Sequence, residues 1–237
     1  MALLTNIRSF FRTQVHSRGL TVVPYPLKKY LDDFRIDLVL DVGANVGQYA
    51  HELRCLGYRD RIESFEPMSK AFSVLEKRAQ RDLTWKVHPF ALGDIESTRE
   101  LGISANGPSS SFLPLSQDAR NAAIDLTYIG KESVDVKRLD SLLPELRQDA
   151  RNIFLKVDTQ GFEKNVLDGA GTMLDCFAGI QVELSLTRQY EGELLASQFL
   201  ELMATHGFVP YWILQGYRCK VSMQLKQIDV IFFRKGS

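Results

Sequence analysis

Short apolar segments alternate with amphipathic segments along most of the 237-residue chain. The apolar segments predict strands at Leu38–Asp41, Arg61–Phe65, Thr84–Pro89, Ile153–Val157 and Gly179–Glu183. Between the first three strands, apolar residues recur at helical spacing, which predicts helices over Gln48–Cys55 and Ser69–Arg81. Strands that alternate with helices are joined by right-handed crossovers, so the pattern predicts an α/β fold with helices on both faces of a mostly parallel sheet.

Residues 95–150 interrupt this alternation. Two strand-like segments, TRELGISANGPSSSFLPLS and SVDVKRLDSLL, surround a turn rich in Gly, Ser and Pro and a polar helical segment. We therefore predict a hairpin-like insertion, followed by a short helix over Leu139–Leu146.

The remainder of the chain returns to helices and strands. Helices are predicted over Glu163–Leu174 and Leu194–His206. The segments FVPYWILQ and QIDVIFFR predict two closing strands around a turn at Gly216, and this end of the sheet is expected to be antiparallel.

One main domain is the simplest organisation, because no internal repeat or low-complexity linker divides the chain. Residues 37–237 are assigned to this domain, and residues 1–36 to a helical and extended appendage. The appendage carries Arg8, Arg12 and Arg18 among aromatic residues. We predict a docking helix there, with contact to an anionic surface as the alternative.

Charge and composition narrow the classes of function. The chain has 29 basic and 29 acidic residues, so it lacks the positive excess that a nucleic-acid surface requires. Its 3 cysteines are widely spaced, which indicates reduced thiols and a cytoplasmic protein. No apolar segment reaches the ~18 residues that a transmembrane helix needs. The sequence leaves open whether the protein forms a homo-oligomer.

The segment DLVLDVGANVGQYA places an acid and two glycines between the first strand and the first helix. Its pattern, D-x-G-x-N-x-G, departs from the dinucleotide fingerprint G-x-G-x-x-G and favours the turn that binds S-adenosylmethionine (SAM). Asp41 is predicted to bind the methionyl ammonium, directly or through water, and Gly43 and Gly47 to let the backbone pass near the ligand. Asn45 tolerates a left-handed conformation and can hydrogen-bond the ligand. A tight turn without a ligand is the alternative.

Two further acids follow the next strands at intervals of one strand, one helix and their loops. Glu66, in the segment FEP, is predicted to accept hydrogen bonds from both ribose hydroxyls, and an acid here disfavours the extra phosphate of NADP. Asp94, in ALGD, is predicted to accept from the adenine amino group, with Ala91 shaping the flat pocket. A loop acid without a ligand is an equal alternative for Asp94.

Together with FLKVDTQGFEKNVLDGA, these motifs resemble the FkbM family of SAM-dependent methyltransferases. The resemblance covers roughly residues 38–234 and includes, in order, DVGANVGQY, FEP, ALGD, the SSSF insertion, VKRLD, KVDTQGFE, VELS and DVIFF. It implies a class I methyltransferase fold, whose seven-stranded sheet has an antiparallel last strand. It also implies O-methylation, often of sugars or hydroxylated natural products.

The chain departs from the family pattern at Gln160, where many relatives carry an acid. That departure weakens any proposal that a carboxylate at this position completes a metal site.

Three candidate catalytic residues, Asp158, Lys156 and Glu183, map to the carboxyl ends of parallel strands, where ligands bind in open α/β sheets. A hydroxyl acceptor of a methyl group must lose its proton, and Asp158 is the first choice of general base. Lys156 is expected to keep Asp158 ionised or to stabilise the forming alkoxide. A structural ion pair between Lys156 and Asp158 is the alternative.

No metal is assigned, but Asp158 and Glu183 together remain a minor candidate pair for a divalent cation. The insertion segment GPSSSFLP is polar and flexible, so Ser110, Ser111 and Phe112 are expected to close over the cofactor or acceptor. An ordinary surface hairpin is the alternative.

These observations predict a SAM-dependent O-methyltransferase that acts on a small hydroxylated acceptor, such as a sugar or a glycosylated natural product, and releases S-adenosylhomocysteine. An NAD-dependent oxidoreductase is the rival enzyme class, although the glycine spacing disfavours it. A non-catalytic protein that binds SAM, or uses the fold for assembly, is the third possibility.

Overall fold

The computed structural model describes residues 25–122, 127–219 and 222–235. The strands in these ranges are β1 Leu38–Val42, β2 Arg61–Phe65, β3 Trp85–His88, β4 Ala91–Leu92, β5 Ser97–Ser104, β6 Tyr128–Lys137, β7 Ile153–Val157, β8 Phe177–Ser185, β9 Phe208–Gln215 and β10 Gln227–Arg234. The helices are α1 Leu27–Asp33, α2 Gln48–Cys55, α3 Ser69–Ala79, α4 Gln117–Ala122, α5 Leu139–Arg147, α6 Glu163–Ala170 and α7 Ala196–Thr205.

Seven of the strands form one sheet with the order β3-β2-β1-β7-β8-β10-β9. β1 is the third strand in this order and runs parallel to β2 on one side and to β7 on the other. β10, the last strand of the chain, runs antiparallel to both of its neighbours, β8 and β9. The expected seven-stranded, mostly parallel sheet with an antiparallel last strand is therefore confirmed.

The insertion forms a second sheet of three strands with the order β4-β6-β5. β5 and β6 pair antiparallel over most of their length, as the predicted hairpin-like insertion requires. The short strand β4 runs parallel to β6 and joins this second sheet to the loop that follows β3. The insertion is consequently held beside the edge at which the strands of the main sheet end.

The helix predicted over Glu163–Leu174 is shorter than expected. The α-helix ends at Ala170, and a 3₁₀-helix continues over Gly171–Cys176. Gly171 has a φ of +52° and a ψ of −134°, a backbone conformation that is open to glycine and that does not continue an α-helix. The apolar spacing of this segment does not distinguish the two helix types, because both can bury Leu174.

The apolar residues of the main sheet are buried on both faces, which explains why β1 and β7 are hydrophobic without alternation. One face packs against α5, α6 and α7, and the other against α2, α3 and α1. Leu27 and Leu31 of α1 are buried in the same cluster as Val39 and Phe233. Residues 1–24 of the predicted appendage lie outside the described residues, and the boundary at residue 36 stays a prediction.

Over the described ranges, no helix combines the length and the apolar character that crossing a membrane demands.

Candidate functional site

A cavity of about 760 Å³ opens at the edge where the parallel strands end. Gly43, Glu66, Asp158 and Glu183, which follow or end four different strands, all reach its wall. The insertion supplies another part of the wall, including Leu101. This position agrees with the rule for ligand sites in open α/β sheets, and the volume lies within the ~300–1,000 Å³ typical of small-molecule sites.

The turn after β1 is left-handed at three positions. Gly43, Asn45 and Gly47 have φ values of +75°, +50° and +83°. Gly43 and Asn45 contribute to the cavity wall, as predicted for a ligand turn. Gly47 faces the protein instead, since a β-carbon there would lie 2.8 Å from Leu75 and 2.9 Å from Trp85. The structure thus places Gly47 in a packing position rather than beside the cavity.

Glu66 connects two strand ends. Its Oε2 accepts a hydrogen bond of 2.8 Å from the backbone N–H of Asn45, and its Oε1 accepts one of 2.8 Å from the N–H of Met68. The side chain is buried yet lines the cavity, and burial raises the pKa of Glu66 to about 7 despite these two bonds. Each carboxylate oxygen has a further lone pair, so both remain able to accept from hydroxyl groups in the cavity.

Asp41 lies beneath the cavity and not in its wall. It is fully buried; Ser64 Oγ donates to its Oδ2 over 3.2 Å, and Lys156 Nζ lies 3.3 Å from its Oδ1. Asp41 is thus separated from the cavity wall, and its predicted bond to the methionyl ammonium, directly or through water, stays a prediction. The sequence pattern, a hydrophobic strand that ends in an acid, does not show whether that acid lines the cavity or is buried behind its wall.

Lys156 is buried next to Asp41 and also lies outside the wall. Its Nζ donates to the carbonyl oxygen of Gly43 over 3.3 Å and lies 3.6 Å from Asp158 Oδ2. Burial by itself lowers the pKa of Lys156, but the carboxylates of Asp158 and Asp41 outweigh it and raise that pKa. Lys156 is thus a buried cation that joins the glycine turn to the end of β7.

Asp158 and Glu183 both reach the cavity and are joined by one amide. Gln160 Nε2 donates to Asp158 Oδ1 over 2.9 Å and to Glu183 Oε2 over 2.7 Å. Gln227 Nε2 donates a further bond of 2.8 Å to Glu183 Oε2. Burial, followed by the nearby charge of Asp158, raises the pKa of Glu183 well above its usual value.

The two residues of the predicted adenine pocket are separated in the structure. Ala91 reaches the wall in an apolar region with Phe65, Met68 and Leu92. Asp94 lies outside the wall, with its Oδ1 3.6 Å from Arg99 Nη2. The residues that directly follow β4 lie outside the cavity wall, so the structure does not bring Asp94 to the wall. Its predicted bond to an adenine amino group stays a prediction.

The serine-rich part of the insertion covers one side of the cavity. Ser110 and Phe112 line the wall, whereas Ser111 is buried and its Oγ donates to the carbonyl oxygen of Gln160 over 2.6 Å. Phe112 packs against Phe162, with 4.9 Å between the ring centroids. The insertion is therefore anchored to the loop that carries Asp158 and Gln160, and its closing over the cofactor or acceptor stays a prediction.

Several wall residues had no sequence motif that would single them out. They are the polar and aromatic side chains Asn106, Gln189, Tyr217 and Gln227. In the sequence, Gln160 stands out only as a departure from the family pattern. In the structure, its backbone φ of +56° is a left-handed value that is unusual outside glycine. An amide that bridges two acids becomes recognisable only when the strands are placed side by side.

The described residues contain no group of three or more His, Cys, Asp or Glu side chains arranged to hold a metal ion. The candidate pair Asp158 and Glu183 converges on the Gln160 amide.

Comparison with known proteins gives one family match. The model of the family described as "Methyltransferase FkbM domain" matches residues 41–218. A curated protein, "Methyltransferase 1" of Beauveria bassiana (strain ARSEF 2860), is 29% identical over 160 residues, which are 62% of this chain and 61% of that protein. The match therefore spans about three fifths of the length of that relative.

Solved structures with a similar backbone include two chains of very low identity. TehB from Haemophilus influenzae is 10% identical with a TM-score of 0.48, over 92% of this chain and 64% of that one. Magnesium protoporphyrin IX methyltransferase (ChlM) from Synechocystis PCC 6803, solved with bound SAM, is 12% identical with a TM-score of 0.44, over 98% and 83% of the two chains.

Proposed function

Because this chain belongs to the FkbM methyltransferase family, we propose that it transfers a methyl group from SAM to a hydroxyl of a small acceptor, such as a sugar or a glycosylated natural product. The observation that carries this proposal is the joint placement of Glu66, Asp158 and Glu183 on one cavity. The cavity thereby combines an acid suited to ribose hydroxyls with carboxylates suited to an acceptor hydroxyl.

The side chains of the cavity fit the cofactor of the family, SAM. Glu66 would hold the ribose hydroxyls, since the residue lines the cavity and each of its two oxygens has a lone pair beyond its backbone hydrogen bond. Phe65, Met68, Ala91 and Leu92 provide the apolar surface that an adenine ring requires. When bound, the cofactor supplies a methyl group that is already activated by its sulfonium.

The task left to the protein is to align the acceptor oxygen and to remove its proton. Asp158 takes the proton of the acceptor hydroxyl, because its carboxylate lies at the wall and Lys156 lies 3.6 Å from Oδ2. Glu183 holds a second hydroxyl of the acceptor. Its burial and its two amide donors fix the orientation of its carboxyl group.

The charge of the wall indicates the class of acceptor. Among the described wall residues, the acidic side chains are Glu66, Asp158 and Glu183, and none is Lys, Arg or His. The wall therefore offers no cation to pair with a phosphate or a carboxylate, so the acceptor is uncharged at the end that enters the cavity. Amides and tyrosines, represented by Gln189, Tyr190 and Tyr217, are suited to a neutral molecule with several hydroxyls. A nucleic acid fits this wall poorly.

Calorimetric titration with SAM, S-adenosylhomocysteine and NAD tests the cofactor. We expect saturable binding of the first two and none of NAD; the opposite result would favour an oxidoreductase. A mass-spectrometric screen with isotope-labelled methyl SAM tests the acceptor. The screen contains neutral glycosides, their phosphorylated counterparts and short RNA. A labelled glycoside supports the proposal. Label confined to RNA or to phosphorylated compounds contradicts it.

Binding of SAM without transfer to any acceptor would leave a non-catalytic role. The variant Asp158→Asn then serves as the comparison, because it should lose transfer in an enzyme and retain the biological role in a non-catalytic protein.

A further inference from the structure

A single nitrogen atom connects the two carboxylates of the acceptor end. Gln160 Nε2 lies 2.9 Å from Asp158 Oδ1 and 2.7 Å from Glu183 Oε2. A primary amide has two N–H groups, so both bonds can form at the same time. One donor thus orients both carboxylates.

The network of neighbouring groups determines which way the amide points. Tyr190 OH, on a residue only 1% exposed, has two acceptors within reach, Gln160 Oε1 at 2.9 Å and the carbonyl oxygen of Ser109 at 3.2 Å. Turning the amide by half a turn would put its oxygen against Asp158 and Glu183 and remove the N–H donor from both of them. The observed orientation is the one in which both acids receive a hydrogen bond from Gln160.

The backbone of Gln160 is held as firmly as its side chain. Its carbonyl oxygen accepts the 2.6 Å bond from Ser111 Oγ of the insertion. The preceding strand end is fixed by a 3.1 Å bond from the N–H of Asp158 to the carbonyl oxygen of Val42. The left-handed φ of +56° at Gln160 turns its side chain back between the two acids. A residue in a strained conformation persists where the surrounding contacts over-determine it.

From this geometry we infer that Gln160 is a positioning residue that takes the place of a cation between Asp158 and Glu183. Two converging carboxylates ordinarily attract a divalent cation, whose further ligands are oxygens. Here the groups that face Glu183 Oε2 are N–H donors from Gln160 and Gln227, which cannot be metal ligands. The carboxylate pair is therefore oriented without a metal ion, and the acceptor hydroxyl meets protein groups alone.

This inference rests on the proposed function only where it assigns the pair to the acceptor. Its consequence for metal binding does not depend on methyl transfer. Replacing the amide by a carboxylate would bring three acids together and convert the position of the nitrogen into a cation site. The chain itself therefore offers a direct test, in which the probe is Mn²⁺.

The test is a calorimetric titration of MnCl₂ into four proteins: the parent, Gln160→Glu, Gln160→Glu/Glu183→Gln and Gln189→Glu. Gln189 is the matched control. It lines the same cavity, but its amide donates to Thr187 and not to either carboxylate. Melting curves without metal establish that each protein is folded.

We expect Gln160→Glu to bind one Mn²⁺ at least about tenfold more tightly than the parent, as a third carboxylate would permit. The double variant and Gln189→Glu should return to the weak binding of the parent. Equal binding by Gln160→Glu and Gln189→Glu would overturn the inference. If Gln160→Glu does not fold, the titration of the parent protein still tests the inference. Stoichiometric Mn²⁺ binding by the parent that is abolished in Asp158→Asn would also overturn the inference.

A second readout separates positioning from a merely structural role. Gln160→Met keeps the size of the side chain and removes its donors, so SAM affinity should stay within about twofold, a difference of about 0.4 kcal/mol. Turnover of an identified acceptor should fall, and Gln160→Glu should regain turnover only when Mn²⁺ is added. Full turnover by Gln160→Met would contradict the inference while leaving the methyltransferase proposal intact. Loss of SAM binding in the parent would instead contradict the proposed function.

Discussion

The α-carbon of Gly43 lies against the backbone carbonyl of Asp158, so closely that a β-carbon on Gly43 would come within 1.8 Å of that oxygen. The turn after β1 and the loop after β7 are thus in direct contact at the cavity. The glycine is required by the approach of these two protein segments. The sequence pattern alone had suggested that its small size made room for a ligand.

Gly43→Ala should therefore destabilise the protein severely, because the clash involves backbone atoms and the φ of +75° is unfavourable for alanine. We expect a loss of more than about 3 kcal/mol in the free energy of unfolding, measured by urea denaturation, or failure to fold. Gly107→Ala is the matched control. Gly107 has a similar φ of +79° with nothing within 4 Å of the new β-carbon, so it should cost only about 1–2 kcal/mol. Equal losses in the two variants would contradict the proposed cause.

Glu66→Ala should weaken SAM binding by more than about tenfold, which corresponds to the ~1.4 kcal/mol expected for losing hydrogen bonds to a charged group. Glu66→Gln keeps one carbonyl acceptor and should bind with intermediate affinity. Both are measured by calorimetry after a melting curve, because Glu66 also accepts from the backbone of Asn45 and Met68. Unchanged affinity in folded Glu66→Ala would count against the ribose assignment.

Asp158→Asn should leave SAM affinity nearly unchanged and reduce turnover by about 10²–10⁴-fold, the usual contribution of a general base. The measurement is a steady-state rate with the acceptor found in the screen, together with a SAM titration. A variant that retains full turnover would remove Asp158 as the base. A variant that loses SAM binding would show that Asp158 acts at the cofactor instead.

Glu163 provides a test of pH dependence beside the loop that carries Asp158 and Gln160. Its Oε1 accepts from the N–H groups of Thr159 and Gly161, and burial raises the pKa of Glu163 from 4.5 to about 7. A raised pKa of an acid means that its contribution to stability is complete below pH 4.5 and is lost as the pH rises through 7.

Glu163→Gln removes this ionisation and keeps an accepting oxygen. The difference in the free energy of unfolding between parent and variant should be small at pH 5 and widen in favour of the variant by pH 8. From ~1.4 kcal/mol per pKa unit, we expect a change of at most about 3 kcal/mol. A difference that is the same at both pH values would contradict the assignment.

Much of the fold could be predicted from local patterns. The bounds of β2, β7, β9, β10 and α2 coincide with segments chosen from periodicity and turn residues. Polar or glycine-containing turns delimit these elements sharply, so the hydrophobic periodicity stops at the residue where the strand or helix ends. The length of α6 was less predictable, because an α-helix and a 3₁₀-helix bury the same apolar residues over one or two turns.

The candidate site could be predicted only in part. Each acid at a strand end was recognisable, since parallel strands bring their carboxyl ends to one edge. Which acid faces the cavity depends on the pleat and on the neighbouring strands, which placed Glu66 and Asp158 in the wall and Asp41 beneath it. Ala91 and Leu92 of β4 line the cavity, but Asp94, two residues after β4, lies outside its wall. No local sequence pattern indicated this difference.

The sequence by itself determined the succession of strands and helices, the family and the set of acids at the strand ends, because these follow from hydrophobic period and from motifs read along the chain. Only the tertiary structure decided that Lys156 is buried beside Asp41 and that Gln160 lies between Asp158 and Glu183. The physical reason is that these contacts join residues of different strands and loops. Their distances are fixed by the lateral order and register of the sheet, which a linear pattern does not contain.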